Sequence, residues 1–346
     1  MKTVESVTEG HPDKICDQVS DAILDAYMAR DPESRVAVEA FGCHGVLIVG
    51  GEVTSLVDVD AELLVRNLYA TIGYQDNLDV LVHITKQSPD IALGVDTGGA
   101  GDQGIMYGYA TSETPEFLPK PVVLAHALTK RLAELRRYDA SYAWLGPDGK
   151  AQVTMEKGRV ITVLVSTQHA PDMQIEEIRR AVISGVIVPV IGSIDGIEVL
   201  VNPTGRFVIG GFAGDTGLTG RKLMVDTYGG LIPHGGGAFS GKDPTKVDRS
   251  ASYMARFAAK NVVANGLAKN CLVSVAYAIG RAEPLMLRAV TGDGKDLSPL
   301  VKKHFDFRPR AIIERLRLKN PIYKQTAAYG HFGKEGLPWE EVVPLG

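Results

Sequence analysis

The spacing of apolar and polar residues predicts a chain that mixes helices with paired strands. A helix that begins at Pro12 carries apolar residues three or four positions apart, and its opposite stripe is acidic. That stripe comprises Asp13, Asp17, Asp21 and Asp25. Other helices are predicted near 60–72, 121–138, 174–186, 244–265, 298–305 and 309–316. Strands are predicted near 35–41, 45–53, 79–84, 151–155, 160–166, 197–201, 207–210, 272–279 and 285–290.

The order helix, strand, strand occurs three times, after Pro12, after Pro121 and after Pro244. Two of these helices open with similar residues, His-Pro-Asp-Lys at 11–14 and Asp-Pro-Thr-Lys at 243–246. We interpret this pattern as a weak internal three-fold repeat of an α+β unit. Strands that are grouped in hairpins, rather than alternating singly with helices, argue against a Rossmann fold. Sheets with helices on one face leave the other face for a partner, which favours an oligomer.

Composition and charge exclude several classes of partner. At 346 residues the chain is long enough for two or three domains, and 45% apolar with 23% charged residues is ordinary for a globular protein. The net charge of −4 gives no general attraction to nucleic acid or to an anionic membrane. The longest run without a charged residue or a histidine, 181–194, is too short to cross a bilayer. We therefore expect neither nucleic acid nor membrane as a partner.

The cysteines and the first residues predict a cytoplasmic protein with reduced thiols. Cys16, Cys43 and Cys271 are odd in number and show no C-x-x-C spacing, which suggests neither a disulfide framework nor a zinc site. The first residues contain no apolar signal core.

The segment 234–248, with the sequence HGGGAFSGKDPTKVD, is the strongest candidate for a ligand site. Consecutive glycines let the backbone approach a ligand closely, and Asp243 followed by Pro244 predicts the N-cap and first position of a helix. Lys242 and Lys246 beside a helix N-terminus suit a phosphate-bearing ligand. Between 206 and 260 there are eight basic residues and only four acids, which favours a small anion.

Two other interpretations of this segment remain open at this point. The spacing from Gly236 to Lys242 fits part of a P-loop, but Asp243 replaces the Ser or Thr that would hold magnesium. Pro233 also makes a buried strand before the loop improbable, so a P-loop NTPase is disfavoured. An ordinary glycine-rich turn would be preferred if the segment stood alone.

Further motifs accompany the segment, in the same order along the whole chain as in one known family. They are EGHPDK at 9–14, KQSPDI at 86–91, GAGDQG at 99–104, NPTGRF at 202–207, GRK at 220–222 and GGGAFSGKD at 235–243. Together they resemble S-adenosylmethionine synthetase, a methionine adenosyltransferase, and the residues from 323 to 333 look similar to that family too. The resemblance implies an α+β fold of three similar subdomains with pseudo-three-fold symmetry, each a β-sheet with helices on one face. The N-terminal, central and C-terminal subdomains would span residues 1–92, 98–208 and 210–346.

The resemblance also implies a reaction in two steps. The sulfur of methionine attacks C5′ of ATP and expels intact triphosphate, which is then cleaved to diphosphate and phosphate. Charge grows on the bridging oxygen as triphosphate leaves, so several cations have to neutralise it. A thioether has no proton to lose, so no base is needed, and positioning carries much of the rate.

By resemblance, each predicted site residue has an expected role. ATP would contact His11, Asp148, Lys150, Arg206, Phe207, Asp215, Arg221, Lys222, Ala238 and Lys242. The catalytic residues among them would be His11, Lys150, Arg221 and Lys242. Methionine would contact Glu52, Gln87, Asp102, Asp215 and Lys246. Two Mg²⁺ ions per site would be held by Asp13 and Asp248, and one K⁺ per subunit by Glu39 and Ser240.

Several of these residues have plainer interpretations when taken singly. His11 alone would be a helix-entry residue, Asp13 would begin a solvent-facing acidic stripe, and Glu39 would be an exposed strand residue. Phe207 alone would be a core residue. Only the resemblance favours the functional role in each case.

The family works as a homodimer or as a homotetramer, a dimer of dimers, with active sites at the dimer interface. This chain departs from its usual pattern in two places. The N-terminal strand is short, and only Thr97 and Gly98 stand between Asp96 and Gly99, where relatives commonly carry a longer insert in the loop at 88–101 that gates the site. A shorter gate changes the expectations for lid closure and product release, but not for the chemistry.

Two rival functions remain open. An ATP-dependent phosphotransferase would leave ADP as product, whereas the synthetase reaction leaves phosphate and diphosphate. A non-catalytic paralogue would consume no ATP, although every transferred catalytic position here holds the expected residue type.

Overall fold

A computed structural model describes residues 1–86 and 98–345. Gln87 and most of the predicted gating loop lie outside these residues. Within them, the helices are α1 (Pro12–Met28), α2 (Ala61–Ile72), α3 (Lys120–Tyr138), α4 (Ile175–Val182), α5 (Val188–Ile191), α6 (Leu223–Asp226), α7 (Val247–Ala264), α8 (Ser298–His304) and α9 (Pro309–Arg315). A short π-helical turn, Ile183–Ile187, joins α4 to α5. No helix in the described ranges is both long and apolar enough to cross a membrane.

Eleven strands accompany the helices in the described part of the chain. They are β1 (Lys2–Val7), β2 (Arg35–Cys43), β3 (Val46–Thr54), β4 (Asp79–Thr85), β5 (Gly104–Thr111), β6 (Leu145–Glu156), β7 (Arg159–His169), β8 (Glu198–Val201), β9 (Gly217–Leu218), β10 (Asn270–Tyr277) and β11 (Met286–Val290). They form three sheets, in the orders β4-β3-β2-β9, β8-β7-β6-β1 and β11-β10-β5. The predicted α+β class is confirmed.

Each sheet combines an antiparallel hairpin with one strand from a different part of the chain. The hairpin β2–β3 takes β9, the hairpin β6–β7 takes β1, and the hairpin β10–β11 takes β5. In all three sheets the added strand runs antiparallel to the first strand of the hairpin. The exchange is cyclic, so the sheets draw strands across the predicted boundaries at 92–98 and 208–210, and those boundaries stay a prediction.

One long helix packs on each sheet where the hairpin meets the added strand. Helix α1 contacts β2 and β9, α3 contacts β6 and β1, and α7 contacts β5 and β10. The strands turn alternate residues toward their helix, as in β2, where Val36, Val38 and Ala40 are buried. The same relation of helix to strands thus recurs three times, while pseudo-three-fold symmetry itself remains a prediction.

The structure corrects three predicted elements. Helix α7 begins at Val247 rather than Pro244, because the Asp243 carboxylate accepts hydrogen bonds from the Val36 and Thr245 backbone N–H groups and folds 243–246 into a turn. The predicted strand at 207–210 is wrong, since its backbone bonds to His169 and to the Gln168 side chain without joining a sheet of the described residues. Strand β5 was not predicted, because the residues after the glycine-rich motif at 99–104 carried no recognised strand pattern.

The acidic stripe of α1 does not face solvent. Asp13, Asp17 and Asp21 are buried, Asp25 is half-buried, and each carboxylate accepts a backbone N–H from the C-terminal third of the chain. The solvent-facing interpretation is therefore wrong. It assumed that acidic residues repeated at helical spacing form a solvent-exposed face of the helix.

Gly108 sets the contact between β5 and α7. A Cβ built there would lie 2.0 Å from the carbonyl carbon of Ala255 in α7, so the helix backbone fits against the strand only at a glycine. Gly50 in β3 is the natural comparison, because its nearest atom would lie at 3.8 Å.

We expect Gly108→Ala to destabilise the protein by about 1–3 kcal/mol or more, since a methyl group has to separate two packed backbones. Chemical denaturation at fixed protein concentration measures the loss. Gly50→Ala is the control, and we expect its free energy of unfolding to stay within about 1 kcal/mol of wild type. Equal stability of the two variants would contradict this account of the β5–α7 contact.

Candidate active site

The first predicted site residues meet at the N-terminus of α1. His11 is the N-cap, and its Nδ1 accepts the backbone N–H of Asp13 at 3.2 Å. The Asp13 side chain is 1% exposed, and its Oδ1 accepts the backbone N–H of Leu218 at 2.9 Å. Two cations pair with that carboxylate, with Nζ of Lys222 at 2.5 Å and Nε of Arg221 at 3.3 Å.

His11 is held in its neutral form. Burial, together with the positive charges of Lys222 and Lys150, lowers the pKa of His11 to about 3 against the opposing effect of Asp13 and Asp215. Because Nδ1 accepts a hydrogen bond, the neutral ring carries its proton on Nε2. His11 is therefore a hydrogen-bond donor at Nε2 rather than an acid with a titratable charge.

Strand β6 brings Asp148 and Lys150 toward the same helix end. Asp148 is buried and accepts the backbone N–H of Gly211 at 2.9 Å. Burial, with a smaller effect of nearby Asp215, raises the pKa of Asp148 to about 6 despite the hydrogen bond from Gly211. Lys150 is half-exposed, and its Nζ lies 2.8 Å from the carboxylate of Glu5 on β1. We call this whole set, His11, Asp13, Asp148, Lys150, Asp215, Arg221 and Lys222, the α1 group.

The glycine loop forms the second set of predicted residues. Nζ of Lys242 lies 2.6 Å from Oδ2 of Asp248, in the first turn of α7. The loop passes so close to this carboxylate that a Cβ on Gly237 would lie 2.2 Å from Asp248 Oδ1. Ala238 packs on Gly220, where a Cβ would lie 2.6 Å from the Ala238 methyl carbon. Lys246 is tied to the buried Asp243 at 2.5 Å. We call Ser240, Lys242, Lys246 and Asp248 the loop group.

Ser240 and Glu39 lie on neighbouring segments. An isolated antiparallel bridge pairs Ala37 with Lys242, so the loop that carries Ser240 runs beside β2, the strand that carries Glu39. The Ser240 side chain is buried, and its Oγ is among the few buried polar atoms of the described residues without a hydrogen-bond partner. Glu39 is exposed, and Glu52 on β3 is half-buried in register with Ala37.

The remaining predicted residues are not drawn into either set. Arg206 and Asp102 are exposed, and the Asp102 carboxylate accepts the backbone N–H of its neighbour Gln103. Phe207 is half-buried and pairs through its backbone with His169. Within 1–86 and 98–345 no hydrogen bond or ion pair joins a charged side chain of the α1 group to one of the loop group.

No three His, Cys, Asp or Glu side chains of the described residues are arranged to hold a metal on their own. Asp13 and Asp248 each lie beside one lysine instead of beside another carboxylate. This arrangement fits a hard ion that takes one or two carboxylates and completes its shell with phosphate oxygens and water, as Mg²⁺ does.

The sequence did not identify the residues that hold the two loops in place. Asp17 accepts the backbone N–H of Gly220, just before Arg221 and Lys222, and Asp21 accepts that of Gly241, just before Lys242. Their spacing could have identified them, since both residues continue the acidic stripe that begins at Asp13. We did not use this signal because like charges on one helix face usually indicate a solvent-exposed face.

Comparison with known proteins places the chain beside one family. Three domains match in order: the N-terminal domain of S-adenosylmethionine synthetase over 1–89, the central domain over 97–207 and the C-terminal domain over 209–341. The S-adenosylmethionine synthase of Pseudothermotoga lettingae is 51% identical over 380 residues, covering 98% of this chain and 96% of its own. That of Thermus thermophilus is 52% identical over 378 residues, covering 99% and 95%. That of Staphylococcus epidermidis is 50% identical over 379 residues, covering 98% and 95%.

We expect His11 to stay neutral, with its proton on Nε2, from about pH 5 to about pH 8, because protonation would have to overcome burial and two nearby lysines. Nitrogen-15 NMR of labelled protein measures both the charge and the tautomer, and a His11→Asn variant assigns the signal. Free histidine in the same buffer is the control, and its midpoint lies near about 6.5. A His11 midpoint close to that of free histidine would contradict the prediction.

Proposed function

The chain belongs to the S-adenosylmethionine synthetase family, and from this premise we propose how its residues divide the work. It is a methionine adenosyltransferase, which makes S-adenosylmethionine from ATP and methionine. The observation that supports the assignment of roles most directly is the pair of carboxylate–lysine contacts, Asp13 with Lys222 and Asp248 with Lys242. In each pair, a bound triphosphate would replace the carboxylate as the partner of the lysine, and Mg²⁺ would replace the lysine as the partner of the carboxylate.

The proposed chemistry is a direct displacement at carbon. The methionine sulfur forms a bond to C5′ of ATP as the bond from C5′ to the bridging oxygen breaks, and triphosphate leaves with the electron pair. Intact triphosphate is then hydrolysed to diphosphate and phosphate. Charge on the departing oxygens is stabilised by Lys150, Arg206, Arg221, Lys222 and Lys242, which act as fixed cations in the manner of an oxyanion hole.

His11 assists departure as a neutral donor. Its Nδ1 is occupied by the Asp13 backbone N–H, so Nε2–H is free to donate to the oxygen that leaves C5′. A neutral ring can donate here without adding a buried positive charge next to Lys222. Phe207 would stack on the adenine, Ala238 would contact ATP through its own backbone, and Asp148 would hold the nucleotide through the loop at Gly211.

Asp13 and Asp248 would hold two Mg²⁺ ions per site. Their donor set of single carboxylates fits an ion that shares its shell with the substrate phosphates. When bound, Mg²⁺ supplies neutralisation of the triphosphate charge. The lysine beside each carboxylate neutralises its negative charge. We expect each lysine to reach the phosphates of the bound substrate as well.

Glu39 and Ser240 would hold one K⁺ per subunit. The support for this is the buried Ser240 hydroxyl without a hydrogen-bond partner among the described residues, in a loop that runs beside β2, the strand that carries Glu39. An unpaired buried hydroxyl costs free energy that an oxygen-liganded cation would recover. Methionine would be bound by Glu52, Gln87, Asp102, Asp215 and Lys246, of which Gln87 lies outside the described residues.

We further propose that the chain works as a homodimer or a dimer of dimers, with sites built from both subunits. The outer face of the β4-β3-β2-β9 sheet carries an in-register row of apolar residues, Leu218, Phe41, Ile48 and Leu81. Phe41, Ile48 and Leu81 are 38%, 39% and 57% exposed. Such a contiguous apolar row is typical of a covered surface. Since the α1 group and the loop group share no charged contact among the described residues of one chain, we propose that the dimer places the α1 group of one subunit beside the loop group of the other. A cytoplasmic location agrees with the three unpaired thiols.

One incubation tests the function and the role of Lys242. With ATP, methionine, Mg²⁺ and K⁺, we expect wild-type protein to form S-adenosylmethionine with matching phosphate and diphosphate, read by mass spectrometry and phosphate assay. Lys242→Met should keep the fold and lower kcat by about a hundredfold to a thousandfold, since it removes one fixed cation facing the leaving group.

Lys302→Met is the matched control, because Lys302 is exposed on α8 and lies in neither group. Turnover close to wild type in Lys242→Met would overturn the assignment of Lys242. Formation of ADP without methionine would favour a phosphotransferase, and ATP binding without any consumption would favour the non-catalytic paralogue.

The dimer proposal is tested at Ile48. We expect Ile48→Asp to halve the molar mass in light scattering at micromolar concentration and to abolish synthesis, because a charge in a buried apolar interface is strongly unfavourable. Leu56→Asp is the control, since Leu56 is 94% exposed on a loop outside the sheet. An unchanged mass for Ile48→Asp would place the interface elsewhere.

A further inference from the structure

We propose that the buried ion pair between Asp21 of α1 and Arg249 of α7 positions Lys242. The pair does so through hydrogen bonds to the backbone of the 239–242 loop, at Gly241 and on both sides of it. This inference rests on the proposed function, because it takes Lys242 as a cation of the phosphate site. Asp21 and Arg249 would be positioning residues, since both side chains are 0% exposed and neither can touch a substrate.

The pair is bidentate and fully enclosed. Nη1 of Arg249 lies 2.6 Å from Oδ1 of Asp21, and Nη2 lies 2.8 Å from Oδ2. The guanidinium uses its other hydrogens as well, donating from Nε to the Tyr253 hydroxyl at 2.9 Å and from Nη2 to Thr326 Oγ1 at 3.2 Å. Its face stacks on the Tyr323 ring, with 4.3 Å from the guanidinium carbon to the ring centre. The guanidinium is therefore fixed in position and in plane.

From this fixed position the pair holds three backbone groups of the loop. Nη1 of Arg249 donates to the Phe239 carbonyl at 2.9 Å and to the Lys242 carbonyl at 3.3 Å. The Asp21 carboxylate accepts the Gly241 N–H at 2.8 Å. Both ends of the four-residue loop and its middle are thus bound to one ion pair, and the loop carries Ser240 and Lys242.

The loop has little freedom to adopt another course. Gly241 has φ of +79°, which favours glycine, and a Cβ there would lie 1.8 Å from the Val38 carbonyl oxygen. The Gly241 carbonyl accepts the Val38 N–H at 3.1 Å, which fixes the loop to β2. Because the backbone is clamped from α1, α7 and β2, the Lys242 side chain leaves it from a defined point.

Hydrogen bonds continue from the pair as far as His331. The Tyr253 hydroxyl accepts from Arg249 Nε and shares a hydrogen bond of 2.8 Å with His331 Nδ1. The opposite ring nitrogen of His331 lies 3.7 Å from Asp226 Oδ1, beyond hydrogen-bond distance, and has no hydrogen-bond partner among the described residues. The hydrogen-bond chain therefore ends at His331, and the pair acts on the loop that carries Lys242.

Arg249→Lys tests the inference, because a lysine keeps the charge and loses the fork that reaches several acceptors at once. We expect kcat to fall about tenfold to about a hundredfold, with a much smaller change in KM for methionine, as for a misplaced reacting group. Amide hydrogen exchange of 239–242 in the ligand-free protein should become faster, while the rest of α7 stays protected.

Arg256→Lys is the matched control on the same helix. Arg256 is equally buried and forms its own bidentate pair with Glu340, but its other contacts are the carbonyls of Tyr109, Glu116 and Phe117, away from the loop. We expect it to lower thermal stability while leaving kcat and the exchange at 239–242 as in wild type. An equal loss of kcat in both variants would reduce the Asp21–Arg249 pair to a structural role and overturn the inference.

A double-mutant cycle with Lys242→Met separates the two proposals. If Arg249 acts through Lys242, the double variant is no slower than Lys242→Met alone, whereas multiplied losses overturn the inference. Wild-type turnover in Lys242→Met would instead overturn the assignment of Lys242, and the exchange measurement would still decide whether the pair holds the loop. If Arg249→Lys does not fold, Asp21→Glu displaces the carboxylate while keeping the charge pair, and the same faster exchange and lower kcat are expected.

Discussion

The structure depends on burying the acidic face of α1. A carboxylate removed from water is strongly unfavourable unless it is paired and hydrogen-bonded. Here Asp13, Asp17, Asp21 and Asp25 each receive a backbone N–H from the C-terminal third of the chain. The first three also receive a cation, from Lys222, Lys14 and Arg249. Helix α1 therefore reaches its native surroundings only when the loops after β9 and before α7 are in place around it.

The exchange of strands imposes the same dependence on the sheets. Each hairpin is completed by a strand that belongs to another third of the chain, so no third can form its whole sheet from its own residues. This has a direct effect on the site. Strand β9 lies on β2 and leads into Arg221 and Lys222, and β6 lies on β1 and carries Asp148 and Lys150. The cations that meet at the α1 N-terminus are delivered by the strand pairing itself.

The spacing of apolar residues was sufficient to predict elements that bury one face and that have a proline or a glycine marking an end. Helix α1 begins at Pro12 as predicted, and the helix before Gly266 ends there with φ of +73°. Strand β5 and the two-residue β9 carried no such signal, because they exist through pairing with β10 and β2. The start of α7 was misplaced for a related reason, since Asp243 bonds to Val36, a residue about two hundred positions away. The resemblance predicted which residues form the site. The pairing of Asp13 with Lys222, 209 positions away, depends on this long-range packing, whereas Lys242 and Asp248 are only six positions apart.

The pairing of carboxylates with lysines explains how an acidic protein keeps a cationic site intact before any ligand arrives. Several lysines and arginines close together repel one another, and an unpaired buried Asp13 would be equally unfavourable. Pairing Lys222 with Asp13 and Lys242 with Asp248 resolves both problems at once. If Asp13 and Asp248 hold Mg²⁺ as proposed, a triphosphate that enters with magnesium ions would exchange these partners, with the lysines turning to phosphate oxygens and the carboxylates to the metal. No new uncompensated charge has to be buried in that exchange, and the buried Asp21–Arg249 pair keeps the loop that carries Lys242 stationary while it takes place.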